Sequence, residues 1–409
     1  MGVIEEPLVV LHGLGVEGRA ARTYLAAHED ADVLVVDEAG RDAAEAALRP
    51  GVLYLRSPGI APSDPLHAAA IARGATVRTP TGLWLERLAP DGTVTVTGTK
   101  GKSTTTAMLA ALLGSSAYGN IGRPPLDGEL PKDEAPVVEL SSYMGSDLAA
   151  PRSRRWRHVV TNLYREHTDW HGGEAPYREA KLRPFRFDPP CPGVAPRALV
   201  ESEGLRGVEA IEDRVGLDGS VLSVDVDELD LASCGDAFGS PATVLAMRAA
   251  LAGALPCLSD PLDRAELVAG RWTGLPSRQA IVPSTDGRVW VDDALATVPE
   301  ATEQALVRFG GRSVRLVLGG KDRGQDYARL AARIASLPDT KAYGFGEVGA
   351  KLGALGIALF GGMEEAVTAA ASDCPPGGVV LFSPAAPSGA PHASYVERAA
   401  IFAQLARDG

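Results

Sequence analysis

Short apolar runs recur along the chain, and most of them lead through a turn into a segment with helical spacing of apolar residues. In the first ninety residues, this pattern predicts strands at 8–14, 33–37 and 52–55. The same stretch predicts helices at 19–27 and 66–73, with turns at 15–18 and 57–60. The order of these elements indicates a small parallel sheet, followed by a linker at 89–92.

The clearest local pattern is TVTVTGTKGKSTTTAMLAALL, residues 93–113. It predicts a strand, a loop and a helix whose positive dipole end and backbone N–H groups hold phosphate oxygens. Lys102 adds a charge there, and Ser103 or Thr104 supplies a hydroxyl for Mg²⁺. Val96 stands where the common phosphate loop has its first glycine, so the loop is a shortened form. A glycine-rich turn at a helix start is the simpler alternative.

Two further groups of strands follow. Those at 93–96, 137–140 and 158–163 each run into polar residues, which parallel strands would gather at one sheet edge. From Gly274, apolar runs at 289–291, 314–318, 342–345 and 379–382 alternate with helical segments and predict a doubly wound sheet. Residues 184–233 show no clear period. We therefore expect an α/β chain with domains at 1–90, 91–273 and 274–409.

Composition limits the class of protein. At 409 residues with 45% hydrophobic residues, the chain can fill more than one core. Its net charge of −12 argues against a general nucleic-acid binder. No apolar run approaches the roughly 20 residues that span a bilayer, and the acidic start lacks signal-peptide features, so we expect a cytoplasmic protein without membrane contact. The four cysteines have no metal or redox spacing.

Two residues near the central strand ends suggest a metal site, and a lysine of interest lies downstream of them. Glu139 follows a buried strand, where a carboxylate needs a cation; a salt-bridged acid is the alternative. His167, in TNLYREHTDWHG, has the donor for a hard cation or a water, although a single histidine is often structural. Lys181, in YREAKLRPF, is predicted near a helix start, with an exposed helix cation as the alternative.

The series GTKGKSTTT, GNIGRPPL, ELSSY, NLYREHTDWHG, YREAKLRPF, GLPSR, LGGKDRGQDY and SPAAPS resembles the Mur ligase family in order and spacing. The resemblance spans nearly the whole chain. It implies three domains: Rossmann-like uridine-nucleotide binding, a central P-loop ATPase, and a C-terminal Rossmann-like amino-acid domain. It also implies the substrates UDP-N-acetylmuramoyl-L-alanine and glutamate, together with ATP and two Mg²⁺ ions, in a monomer of the peptidoglycan precursor pathway.

The resemblance carries residue roles with it. It places Lys102 at the ATP phosphates, Asn120 beside the reacting phosphate, Glu139 and His167 at Mg²⁺, and Lys181 as a carbamylated lysine. Ser103 and Thr104 join the metal set. The ATP set is Gly98, Thr99, Lys100, Gly101, Lys102, Ser103, Thr104, Arg278 and Asp293. The UDP-substrate set is Gly15, Val16, Glu17, Asp37, Ser57 and Gly59.

The amino-acid pocket departs from the usual pattern. Thr297, Arg323, Ser388 and Tyr395 match the residues that receive glutamate, but Leu295 and Arg323 stand where lysines are usual. An Arg fork binds a carboxylate through two hydrogen bonds where Lys offers a point charge, so we expect a different stereochemical placement of the glutamate. Together with HGLGVEGRAA and TPTGLWLER, this favours the subgroup that adds L-glutamate, whose product passes to a separate epimerase. Ser240, Thr243 and Tyr143-Met144-Gly145 also depart from the family's usual residues near adenine and substrate.

Other functions stay open. D-glutamate addition and a paralogous ligase of specialised metabolism are alternatives within the family. Outside it, Gly13, Gly15, Gly18 and Asp37 match a dinucleotide-binding spacing, which alone is a weak signal for a nicotinamide oxidoreductase. A catalytically silent nucleotide-binding regulator is the third alternative, since one fold can host several roles.

Overall fold

The computed structural model describes residues 8–28, 31–36, 40–128, 134–151, 156–164, 168–234, 236–309 and 311–408. They form two compact units, one up to Gly270 and one from Arg271. Two mainly parallel sheets lie in the first unit and one in the second, which confirms the predicted α/β class.

The N-terminal sheet is parallel throughout. Its strands are β1 (Leu8–His12), β2 (Asp32–Val36), β3 (Val52–Arg56) and β4 (Thr76–Arg78), in the spatial order β2-β1-β3-β4. Its helices are α1 (Val16–His28), α2 (Arg41–Ala47), α3 (Pro65–Ala72) and α4 (Pro80–Arg87). Alternate residues of β1 face opposite sides, so Val9 and Leu11 pack with α1 and α4, and Val10 packs with α2 and α3.

Helix α1 begins at Val16, three residues before its predicted start. Gly18 lies inside this helix rather than in a turn. A Cβ at Gly18 would lie 2.0 Å from the carbonyl oxygen of Gly13, so glycine is needed there for close approach between α1 and the end of β1.

The central sheet holds the phosphate loop. Its strands are β5 (Val94–Thr97), β6 (Ala117–Gly119), β7 (Val137–Glu139), β8 (Arg157–Val160), β9 (Gly193–Ala195) and β10 (Val208–Ala210), all parallel, in the order β10-β9-β8-β5-β7-β6. Its helices are α5 (Lys102–Leu113), α6 (Ser142–Gly145), α7 (Thr168–His171), α8 (Glu174–Leu182), α9 (Arg197–Glu203), α10 (Ile211–Arg214), α11 (Pro241–Ala254) and α12 (Pro261–Ala269). The carboxyl ends of β7 and β8 therefore flank the loop that follows β5.

The segment without a clear period contains short elements. Besides β9 and β10 it forms a three-stranded antiparallel sheet of β11 (Gly216–Asp218), β12 (Val221–Val224) and β13 (Asp227–Asp230). One hydrophobic cluster runs from Leu11 and Leu53 of the N-terminal sheet to Val138 and Leu140 of the central one. This shared core explains why both sheets belong to one compact unit.

The second unit is a doubly wound sheet, as predicted. Its strands are β14 (Ala280–Val282), β15 (Val289–Asp292), β16 (Val314–Gly319), β17 (Thr340–Phe345), β18 (Ala358–Phe360) and β19 (Val379–Phe382), in the order β14-β15-β19-β16-β17-β18, with only β14 antiparallel among these strands. Its helices are α13 (Pro299–Arg308), α14 (Ala328–Ser336), α15 (Gly346–Gly353), α16 (Met363–Asp373) and α17 (Tyr395–Asp408). Leu316 and Leu318 pack with α13 to α15, and Val317 packs with α16 and α17 on the other face.

Candidate active site

The phosphate loop joins β5 to α5 as the sequence predicts. Gly98 has φ +149°, and a Cβ there would lie 2.0 Å from the Oγ1 of Thr161, so no other residue fits without movement. Gly101 has φ +79° and precedes the first residue of α5. Among the described residues, no side chain caps the N-terminus of α5, which leaves its first N–H groups for an anion.

The end of β8 holds this loop in shape. Asn162 accepts the backbone N–H of Lys100 through Oδ1 at 2.8 Å and that of Thr99 through its carbonyl oxygen at 3.0 Å. Thr161 donates its hydroxyl to the carbonyl oxygen of Lys100 at 2.7 Å. Because the amides of Thr99 and Lys100 already have acceptors, a phosphate group would use the amides from Gly101 onward.

The hydroxyl side chains of the loop and of the first turn of α5 differ in how deeply they are buried. Thr99 and Ser103 are buried, whereas Thr104 is half-buried. Lys102 donates from Nζ to the carbonyl oxygen of Thr99 at 3.0 Å, so its ammonium group lies against the loop.

Glu139 ends β7 and is almost fully buried, with 1% of its surface exposed. Its Oε1 accepts a hydrogen bond from Nδ2 of Asn120 at 2.9 Å. Its Oε2 has no hydrogen-bond partner among the described residues. A buried carboxylate oxygen without a donor is unfavourable unless a cation approaches it, and a carboxylate is a ligand that Mg²⁺ prefers. Oε2 of Glu139 therefore has the burial and the chemistry of a single magnesium ligand, although the described residues contain no cluster of three or more His, Cys, Asp or Glu side chains around it.

Lys181 is not an exposed cation, and it does not lie at a helix start. It occupies the last turn of α8 and is 3% exposed. Its Nζ donates to the carbonyl oxygen of Gly98 at 2.7 Å and lies 5.1 Å from the ring of Tyr177. The alternative that we considered for this lysine is therefore wrong, because α8 packs its C-terminal end against the phosphate loop.

A buried histidine fixes the end of α8. His158 bonds the carbonyl oxygen of Lys181 through Nε2 at 2.9 Å and the hydroxyl of Thr95 through Nδ1 at 2.7 Å. Burial lowers the pKa of His158 to about 4, so the ring is neutral at physiological pH. Sequence reasoning missed this residue, although its place on a strand next to β5 was a usable signal.

The predicted UDP-substrate residues divide into two groups. Ser57, Gly15, Val16 and Gly59 lie beyond the carboxyl ends of β1 and β3, where Ser57 donates its hydroxyl to the carbonyl oxygen of Gly13 at 2.7 Å. Glu17 is buried instead, and its carboxylate accepts hydrogen bonds from the backbone and the hydroxyl of Thr81 at the start of α4. Burial raises the pKa of Glu17. These contacts engage the Glu17 carboxylate, so its place in the UDP-substrate set stays a prediction. Asp37 and His167 lie outside the described residues.

In the second unit, Asp293 follows β15 and is 6% exposed. It accepts hydrogen bonds from the hydroxyl of Ser383 at 2.7 Å and from the backbone of Gln279 at 3.2 Å. Burial raises the pKa of Asp293 to about 7, against the opposing effect of these bonds. Arg278 is exposed between Ser277 and Gln279, which have φ +57° and +53°. Such backbone strain is frequent at ligand-binding turns.

The four predicted amino-acid residues follow neighbouring strands of the second unit. Thr297 comes after β15, Arg323 after β16 and Ser388 after β19, while Tyr395 is the first residue of α17. The hydroxyl of Ser388 is buried without a hydrogen-bond partner among the described residues. A cavity of about 340 Å³ adjoins these loops and is lined in part by Lys321, Glu364, Gly389, His392 and Arg398.

Comparison with known proteins decides the family. The chain is 35% identical to a UDP-N-acetylmuramoyl-L-alanine–L-glutamate ligase of Salinispora tropica, with 98% of this chain and 97% of the relative covered. A ligase of the same name from Xanthomonas axonopodis is 33% identical, with 98% and 96% covered. The chain belongs to the Mur ligase family. As a member of it, the protein is a ligase.

Solved Mur ligases share the fold. UDP-N-acetylmuramate-alanine ligase from Thermotoga maritima matches with a TM-score of 0.55 at 17% identity and covers 98% of this chain and 99% of its own. MurF from Acinetobacter baumannii also has a TM-score of 0.55 at 17% identity, with 89% and 92% covered. The α/β fold of this chain is therefore that of the Mur ligases. No protein-family model matches the chain.

The sequence analysis of this Mur ligase did not identify two residues that hold the phosphate loop in place. Thr161 and Asn162 lie within the NLYREHTDWHG region or directly before it, yet no role was assigned to them. Their position directly after β8, a parallel neighbour of β5, is the signal that could have found them. Among the described residues, no helix is both long and apolar enough to cross a bilayer.

Proposed function

We propose that this Mur ligase joins glutamate to UDP-N-acetylmuramoyl-L-alanine with conversion of ATP to ADP and phosphate. The observation that carries the proposal is the group at the phosphate loop: Lys181 on the loop backbone, and Glu139 with one unpaired oxygen beside Asn120. A nicotinamide oxidoreductase needs none of these residues. A silent regulator would not need a carboxylate held in this way.

The chemistry explains the need for ATP. A carboxylate is a poor acyl donor because its leaving group would be oxide. Transfer of the γ-phosphoryl group to the acceptor's carboxylate gives an acyl phosphate, whose leaving group is phosphate. The amine of glutamate can then form the amide bond while phosphate departs.

The chain's own residues have separable tasks in this scheme. The first amides of α5 bind the phosphates, and Lys102 places its charge beside them. Glu139 and the hydroxyl groups of Ser103 and Thr104 would hold Mg²⁺, with Asn120 orienting the Glu139 carboxylate. Bound Mg²⁺ would neutralise the negative charge on the phosphate oxygens while the phosphoryl group moves to the acceptor. Lys181 lies where a carbamate would place an anion beside the loop, and we propose that it is carbamylated.

We propose L-glutamate as the amino acid. The relatives at 33–35% identity are named L-glutamate ligases, and Arg323 offers a bidentate donor where the family usually has lysine. A product with L-glutamate requires a separate epimerase wherever the D-isomer is used. The competing possibilities are that the enzyme adds D-glutamate instead, or that it uses a different acceptor in a specialised pathway.

We also propose three domains, a monomeric state and a cytoplasmic location. We place the acceptor domain at 1–90, the ATPase domain at 91–273 and the amino-acid domain at 274–409. The enzyme acts as a monomer in the cytoplasm, with Arg278 and Asp293 at the ATP ribose.

Oxygen transfer tests the reaction directly. With ¹⁸O in the acceptor's carboxylate, one labelled oxygen should appear in the released phosphate, since the acyl phosphate breaks at its acyl carbon. Phosphate release without label would exclude the acyl phosphate. Omission of Mg²⁺, acceptor or glutamate in turn provides the controls.

A further inference from the structure

The side chain of Arg56 connects the turn 57–60 to the segment 143–147. Arg56 is the last residue of β3 and has no exposed surface. The residues that it contacts lie partly in the turn 57–60, directly after it, and partly in the segment 143–147, which follows Glu139 in the sequence. Nothing in the sequence pattern singles this arginine out.

All five N–H donors of the guanidinium group have an acceptor. On one side, Nη1 donates to the carbonyl oxygens of Ile60 at 2.7 Å and Pro58 at 3.3 Å. On the other side, Nη2 donates to the carbonyl oxygen of Tyr143 at 3.0 Å and the hydroxyl of Ser146 at 2.5 Å. Nε donates to Asp147 at 2.5 Å. A planar fork that is fully bonded in this way permits little relative movement of the groups it joins.

Aromatic rings extend the same connection. Trp170 stacks on Tyr143 with ring centroids 4.2 Å apart, and the guanidinium carbon of Arg56 lies 5.4 Å from the Trp170 ring. The indole Nε1 points to the carbonyl oxygen of Gly59 at 3.5 Å, a long contact. The turn 57–60 is thus in contact with both segments that follow the strand ends of the central sheet.

We propose that Arg56 is a positioning residue for phosphoryl transfer. This inference rests on the proposed function, in which the turn 57–60 holds the UDP-linked acceptor. The acceptor's reactive carboxylate is part of the same molecule, so its distance from the phosphate loop depends on how the turn is fixed to the segment after Glu139. Arg56 sets that distance.

A purely structural role must be separated from positioning, because removal of Arg56 leaves Asp147 without its buried partner. Three variants do this: Arg56→Met, Arg56→Met with Asp147→Asn, and Arg56→Lys. The double variant carries no unpaired charge, so its unfolding midpoint should recover most of the loss caused by Arg56→Met. Arg73→Met is the matched control, since Arg73 forms a partly exposed ion pair with Glu45, at the ends of helices α3 and α2 of the same domain.

The readout is kcat together with separate KM values for acceptor and ATP. Because a misplacement of about 1 Å can cost on the order of 100-fold in rate, kcat should fall roughly 10- to 100-fold in the double variant. The KM for ATP should stay at the wild-type value. A double variant that regains wild-type kcat along with its unfolding midpoint would overturn the proposal.

Arg56→Lys keeps the test decisive if both methionine variants fail to fold. Lysine retains the charge beside Asp147 but cannot bond both sides at once, so kcat should still fall at least about tenfold. Wild-type kcat in this variant would contradict positioning. If the wild-type enzyme releases no phosphate with ATP, acceptor and glutamate, the proposed function itself is wrong. This result differs from an unchanged kcat in the variants, which contradicts only the positioning role.

Discussion

The Nδ2 of Asn120 donates to Oε1 of Glu139 at 2.9 Å, and no group of the described residues donates to the other oxygen of that carboxylate. The two residues stand at the ends of neighbouring parallel strands, β6 and β7. Asn120 therefore fixes the rotation of the carboxylate and leaves one oxygen for a cation. The sequence resemblance assigns roles to Asn120 and Glu139 one at a time, whereas the structure shows that the two side chains bond to each other.

Replacement of Glu139 by glutamine tests the metal assignment. The amide keeps the shape and a bond to Asn120 but loses the charge, so we expect turnover to fall by about 100-fold or more, on the scale of removing one electrostatic transition-state contact. Turnover of the variant should require more Mg²⁺. Both effects are measured by phosphate release in a Mg²⁺ titration, with Glu45→Gln as control because the Glu45 side chain is 45% exposed and pairs with Arg73. An unchanged Mg²⁺ requirement would place the metal elsewhere.

Lys181→Ala tests the carbamate. If an anion at this position is essential, ligation should be lost and then partly restored by added formate or acetate, which can enter the space left by the side chain. Arg178→Ala is the control, because Arg178 lies one turn earlier on α8 and pairs with Glu203 away from the loop. Full activity of Lys181→Ala without any added carboxylate would eliminate the carbamate.

The two loop glycines should respond differently to alanine. At Gly101 there is open space, so Gly101→Ala should cost only the left-handed conformation, about 1–2 kcal/mol. At Gly98 the new Cβ would also meet Thr161, which adds about 1–3 kcal/mol of overpacking. The free energy of unfolding of each variant from denaturant titration gives the comparison. Equal losses would mean that the loop adjusts freely at Gly98.

The elevated pKa of Asp293 predicts a dependence of stability on pH. The folded state holds this proton up to about pH 7, whereas the unfolded carboxyl loses it near its ordinary value of 3.8. The folded state thus binds more protons between those values, and the contribution of Asp293 to stability falls as pH rises from about 4 to 7, by a few kcal/mol in order of magnitude.

Asp293→Asn should flatten that decline, as followed by unfolding midpoints across pH 4–8. Asp286→Asn gives the opposite control. Hydrogen bonds from Arg288, Trp290 and Ser284 outweigh burial and lower the pKa of Asp286 to about 2, so its contribution is present above pH 4 and lost as pH falls. If the unfolding midpoint of Asp293→Asn still falls with pH as steeply as that of the wild type, another group titrates in this pH range.

The sequence predicted the fold where periodicity and turn chemistry agree. The strands leading to Gly98 and Glu139 were found because buried β-branched runs end in polar residues. The runs of the second unit were equally clear. By contrast, the edge strands β14 and β18 are short and only partly buried, so they lack a continuous apolar run.

The site was predictable only in part. The loop residues carry a local pattern, but the burial of Lys181 depends on the packing of α8, and the contact of Arg56 with Asp147 joins residues 91 positions apart. The burial of Glu17 against Thr81 likewise depends on how α1 meets α4. No spacing rule along the chain reports such contacts, since they arise only when the sheets and helices pack.

The stereochemistry of the amino acid is the central claim, and one comparison tests it most directly. Phosphate release is measured with UDP-N-acetylmuramoyl-L-alanine, ATP and Mg²⁺ in the presence of either L-glutamate or D-glutamate, and the ligated product is confirmed by mass. We predict turnover with L-glutamate and little with the D-isomer. Turnover with D-glutamate alone, or with neither isomer, would contradict the assignment.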